Sequence, residues 1–167
     1  MSKVKSFTLH NDRDLSIADS ELLNWRKYYP DDKTDIFGPI TKYSWLVNDA
    51  FYEAQKPKGQ SWEILPDASG FIGFEKKRWE PDNCLLLDAY GKERMRLIVP
   101  WQLTHPKNPE SAKPPTSFDN ISEPYINPAD GKQGEFGVTA WVEHAGKYYF
   151  ELDYHSGQFL WGKEIRD

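Results

Sequence analysis

The last part of this chain constrains its fold more than any other stretch. Between Gly134 and Glu164 it reads FGVTAWVE, HAGK, YYFELDY, HSG and QFLWGKE, three alternating segments joined by polar turns that contain glycine. Period-two alternation sends successive side chains to opposite faces of a strand, and strands this close in sequence pair antiparallel. Phe136, Val138, Ala140 and Val142 then share an apolar face with Tyr148, Phe150, Leu152 and Tyr154, continued by Phe159 and Trp161. The opposite face carries Thr139, Trp141, Glu143, Tyr149, Glu151 and Asp153.

The strand character begins near Ser61. SWEIL stops at Pro66, FIGFEKKRW runs into the turn EPDN, and CLLLDA and ERMRLIVPW flank a turn at Tyr90-Gly91. Leu85 and Leu87 point opposite to Cys84 and Leu86, so this strand is apolar on both faces and predicts a central place in its sheet. An aromatic content of 15%, with 7 Trp, 9 Tyr and 9 Phe, suits pleated surfaces better than a helical bundle.

The N-terminal part reads differently. In SIADSELLNWRKYY, Leu22, Trp25 and Tyr29 fall on one helical face, with Ser16 or Asp19 as the cap and Pro30 as the stop. In ITKYSWLVNDAFYEAQK, Tyr43, Val47, Ala50, Phe51 and Ala54 form a helical stripe ended by Pro57 and Gly59. A hairpin turning at Asn48-Asp49 competes with that helix, because Trp45, Leu46, Val47, Phe51 and Tyr52 all favour strands. Thr104 to Gly134 holds six of the 12 prolines and predicts a long loop whose second half packs down through Phe118, Ile121, Tyr125 and Ile126.

The expected fold is therefore one α+β domain over residues 1–167, predominantly antiparallel β. A curved meander sheet or partly closed barrel is built from 61–103 and 135–164. One or two helices occupy 1–60, and 104–134 is a proline-rich loop.

Composition removes several functional classes. No run of about 18 apolar residues exists, so no membrane-spanning helix is expected. MSKVKSFTLHNDRD lacks the apolar centre of a secretory signal, and the single Cys84 forms no internal disulfide, which predicts a cytoplasmic protein. A net charge of −5 at pH 7 argues against nucleic acid as the partner. The basic run Lys76-Lys77-Arg78 before Trp79 is flanked by Glu75 and Glu80 and reads as protection of a strand edge. No glycine-rich phosphate motif is present, and no cofactor is expected.

Among candidate catalytic groups, Glu143, His144, Glu151, Asp153 and His155 gather in one hairpin. The two histidines sit at opposite ends of a strand, roughly 20 Å apart at the usual rise, so they do not make one metal site. Cys84 opens an apolar strand and reads as a core residue. Ser156 lies in a turn, and His10 and His105 are isolated loop histidines.

What remains is recognition by an open surface, since aromatic rings anchor interfaces and carboxylates speed the approach of a cationic partner. Two patches qualify: Asp31, Asp32 and Asp35 in the acidic run, and Trp141, Glu143, Tyr149, Glu151 and Asp153 on the meander; the competing reading of the second is that Trp141 and Tyr149 cover another buried face, since a sheet of this size often packs on both sides. The expectation is a non-catalytic binding protein for a basic protein partner, of the kind an immunity protein against a secreted bacterial toxin would be. No motif assigns it to a particular family. A sugar- or lipid-binding β-module is the first alternative, and a hydrolase using Asp88, Glu143 or Glu151 is the second.

Overall fold

The computed structural model describes residues 2–21, 39–76, 79–104, 116–142 and 146–165. They form β1 (Val4–Asn11), β2 (Ser16–Ala18), β3 (Ile40–Val47), β4 (Ala50–Gln55), β5 (Gln60–Ile64), β6 (Gly70–Glu75), β7 (Cys84–Asp88) and β8 (Glu93–Leu97). A helical turn, α1 (Trp101–Thr104), precedes β9 (Ser117–Ser122), β10 (Gly137–Val142), β11 (Gly146–Asp153) and β12 (Gln158–Glu164). Three four-stranded sheets result, ordered β2-β1-β3-β4, β5-β6-β7-β8 and β12-β11-β10-β9. The structure is mostly antiparallel β with very little helix, and none of the sheets closes into a barrel.

The chain divides into two compact units. Met1–Lys58, Glu63–Phe71 and Asp88–Lys92 form the first; Gly59–Trp62, Ile72–Leu87 and Glu93–Asp167 form the second. Among the described residues no helix is long and apolar enough to cross a membrane.

In the first unit the segment 40–56 is a hairpin rather than the expected helix. β3 and β4 pair in unbroken register from Lys42↔Gln55 to Val47↔Ala50, leaving Asn48 and Asp49 as a two-residue turn. Both have positive φ, 52° and 65°, the geometry of a type I′ turn, which Asn and Asp tolerate better than other side chains. Hairpin pairing wins because it buries Tyr43, Trp45 and Val47 together on one face.

Phe7 joins them through a bulge. The register slips between Lys5 and Thr8, with Ser6 at φ 54°, and this turns Phe7 inward onto Phe71 (ring centroids 4.9 Å) and Tyr43 (5.3 Å). The buried Trp45 indole donates to Ala89 O at 2.8 Å, so its polar atom is satisfied inside the core. The other expected helix is realised differently where it can be seen. Ser16–Ala18 is strand β2, residues 19–21 are helical, and Leu22, Trp25 and Tyr29 lie outside the described residues.

In the second unit β7 is central, as its two apolar faces predict, with Cys84, Leu85, Leu86 and Leu87 all buried. Burial raises the Cys84 thiol well above its ordinary pKa, so it stays protonated and unreactive. The segment expected to lack regular structure contains β9, which pairs with β10. Its head is fixed by a side chain that imitates a strand. Asn83 donates from Nδ2 to Phe118 O (2.9 Å), while Phe118 N–H donates to Asn83 Oδ1 (2.7 Å). A carboxamide has the donor and acceptor needed to replace a peptide group in a ladder.

Candidate functional site

The β9–β12 sheet carries the expected recognition surface, and its apolar face forms as predicted. Val138 opposes Phe150, Ala140 opposes Tyr148, and Phe159 continues the row opposite Leu152. Trp161 does not continue it. The register slips at Leu160, so Trp161 pairs with Glu151 and its ring lies 5.3 Å from that of Tyr149 on the other face.

That other face is not the open acidic-aromatic surface expected from alternation. Tyr149 is 0% and Glu151 5% exposed, while Trp141 keeps 47%. The covering layer is the segment just before β10. Tyr125 packs its ring 5.0 Å from that of Tyr149. Glu135 and Phe136 donate their backbone N–H groups to Glu151 Oε2 at 2.8 and 3.3 Å, and Tyr149 OH donates to Oε1 at 2.5 Å.

Two glycines make the closeness possible. A Cβ at Gly134 would stand 2.1 Å from Glu151 Oε1, and one at Gly137 2.2 Å from the Tyr149 ring. Burial raises the Tyr149 phenol pKa, and the bond to Glu151 raises it further; a backbone hydrogen bond from Tyr125 acts the other way. Tyr149 and Glu151 are therefore part of a sealed layer and present nothing to a partner.

The remaining predicted residues fall as follows. Asp153 lies at the end of β11 with its carboxylate accepting from His155 N–H, Ser156 N–H and Ser156 Oγ, bonds that shape the β11–β12 turn. The Ser156 hydroxyl bond is the main reason its pKa lies below the ordinary value. Asp31, Asp32, Asp35, Glu143 and His144 lie outside the described residues.

Alternation missed the cations of this face. Lys147, opposite Trp141, places Nζ 5.8 Å from the indole centroid, and Lys163 places Nζ 5.6 Å from the Tyr125 centroid. Asp119 Oδ2 approaches Lys147 at 4.0 Å. Among the described residues, the accessible part is thus the Trp141 indole with Lys147 over it and Asp119 beside that lysine.

An open groove of about 460 Å³ lies between the segment after β8 and the β11–β12 turn, walled by Ile98, Pro100, Trp101, Gln102, Gln158 and Phe159. Among the described residues, no three His, Cys, Asp or Glu side chains come together in a way that could hold a metal ion. Asp88, a candidate carboxylate, accepts Tyr90 N–H and Lys92 N–H at 2.9 and 3.0 Å and so holds the β7–β8 turn.

No protein-family model matches the chain, and no curated protein matches it. Among solved structures, the chain is similar to one from the structure described as "Structure of Tne2 in complex with Tni2". The TM-score is 0.63 at 10% sequence identity, over 98% of this chain and 99% of that one. The likeness extends along nearly the whole of both chains and concerns the fold.

Proposed function

We propose that this is a non-catalytic protein that binds a protein partner and neutralises or regulates it, as an immunity protein does for a secreted toxin. The observation that carries the reading is Trp141. Its indole stays half exposed on a strand locked on both sides, with Lys147 set over the ring. A tryptophan held rigid at a surface loses little conformational freedom on docking and is the residue type most enriched among binding hot spots. A chain of similar fold has been solved in a structure of two proteins in complex, which fits a protein partner. The net charge of −5 would draw in a basic one.

Of the carboxylates in the hydrolase alternative, Glu151 has both oxygens engaged inside the protein, Asp88 holds a turn, and Glu143 lies outside the described residues. The sugar- or lipid-binding alternative rests on the groove of about 460 Å³, which lies open to solvent rather than enclosing a ligand. Native mass spectrometry of freshly purified protein separates it from the leading reading, since a carried ligand would add a discrete mass.

The direct test is calorimetric titration against the protein encoded by the neighbouring gene. Binding is expected, and Trp141→Ala should weaken it by about 30-fold or more, the scale of a hot-spot truncation. Absence of binding, or equal affinity in the variant, would overturn the assignment.

A further inference from the structure

Strand edges expose unpaired N–H and C=O groups, and proteins defend them by brevity, charge, bulges or cover. Five of the six edges in these sheets are defended in one of these ways. β2 has three residues. β5 has no fully exposed position. β8 carries Glu93, Arg94 and Arg96 and an irregular register. β9 is bulged around Asp119, and β12 is bulged at Leu160 and carries Lys163 and Glu164.

β4 is different. Its six residues, AFYEAQ, pair with β3 in unbroken register, contain no Lys, Arg or Pro, and are exposed at Ala50, Phe51, Glu53 and Gln55. Its one charge, Glu53, meets Lys42 Nζ at 3.4 Å on the neighbouring strand. Among the described residues no strand pairs with its outer edge.

The backbone groups this edge offers follow from the register. Val47 and Ala50 close a two-residue turn and are a hydrogen-bonded pair, so Trp45↔Tyr52 and Tyr43↔Ala54 are too. The bond from Lys56 N–H to Thr41 O at 2.8 Å continues the same phase. The N–H and C=O groups of Phe51, Glu53 and Gln55 therefore point outward. Apolar surface flanks the edge on both sides: Phe51, 63% exposed, on one face, and on the other Tyr52 with Tyr90 (41% exposed) 5.4 Å away, ring to ring.

We propose that this edge takes β4 of a second copy of the chain, antiparallel about a two-fold axis. The strand is complementary to itself. Centring the pair on Tyr52 sets tyrosine against tyrosine, Ala50 against Ala54, and Phe51 against Glu53, with like charges nowhere opposed. The outward groups of Phe51 and Glu53 then fall opposite each other and pair. The two four-stranded sheets, one from each copy, become one continuous sheet. This self-association is independent of the proposed docking role of Trp141 and can fail without it.

Sedimentation velocity from about 1 μM to about 1 mM tests the proposal, together with amide exchange of the wild-type chain across the same series. A concentration-dependent dimer is expected, with the Phe51 and Glu53 amides slowing as it forms. Glu53→Pro removes an outward N–H while leaving the β3 ladder intact, and should raise the dissociation constant about ten-fold or more. Phe51→Glu, which sets a second carboxylate opposite Glu53 of the other copy, should act in the same direction. A monomer throughout, or a dimer in which these amides exchange as in the monomer, would overturn the proposal. Protection that arises only when a different protein is added would also overturn it and identify that protein as the occupant. If Glu53→Pro does not fold, the wild-type exchange data decide.

Discussion

A buried carboxylate is tolerable only when donors surround it, and Glu151 has three: a phenol and two backbone N–H groups. The phenol supplies the titratable part of this arrangement. In the folded protein Tyr149 holds its proton above the ordinary tyrosine pKa of 10.0. Below pH 10 both folded and unfolded chains keep the proton, and the contribution to stability is whole. As pH rises further the unfolded chain ionises first, so the contribution falls away. Thermal melts between pH 9 and about pH 11.5 should show this alkaline loss, and Tyr149→Phe should reduce it. At neutral pH the same variant should cost about 1 kcal/mol, because Glu151 retains its two backbone donors. That Tyr125 packs down is legible in the sequence; that it lands on Tyr149 is not. Alternation correctly put Tyr149 and Glu151 on one face, but the layer that seals them comes from Tyr125 to Phe136, and only folding brings it there.

At the scale of elements, local pattern and pairing disagree most over residues 40–56. Tyr43, Val47, Ala50 and Ala54 fit a helical stripe and equally fit one side of a hairpin, because spacings of three or four contain both parities across a turn. The turn itself decides the matter. Asn48 and Asp49 both adopt positive φ, and glycine fits the second of these positions better than aspartate. Asp49→Gly is therefore expected to raise stability by about 0.5 kcal/mol, read as a shift of the urea midpoint with unchanged slope. The two bulges mark the limit of what alternation can show. One extra residue at Ser6 turns Phe7 into the core, and one at Leu160 moves Trp161 to the opposite face from that predicted. Period-two reading fails wherever a strand inserts a residue. It succeeded for β7, β10 and β11, where the ladder from Gly137↔Glu151 to Val142↔Gly146 is unbroken.

For the molecule as a whole, charge and contact have separate consequences under the proposed function. A net charge of −5 acts at long range and is screened by salt. The association rate with a basic partner should fall as ionic strength rises from about 10 to about 150 mM, measured by stopped flow. Trp141→Ala should leave that rate and its salt dependence nearly unchanged and speed dissociation instead. Equal salt dependence in a charge-neutralised surface variant would argue against steering by the whole chain. The predominance of antiparallel sheet was readable from the sequence, because most apolar residues recur at period two after Ser61. The division into two compact units was not, since it depends on which segments meet in space.

Cys84 opens β7 with no exposed surface. The chain contains a single thiol, and it is wholly enclosed and held in its protonated form. A maleimide or disulfide reagent would find it only when the surrounding sheet opens, so its labelling rate serves as an internal clock for that opening. A cysteine introduced anywhere on the exterior would, for the same reason, be the one position to accept a dye or crosslinker while the native state persists.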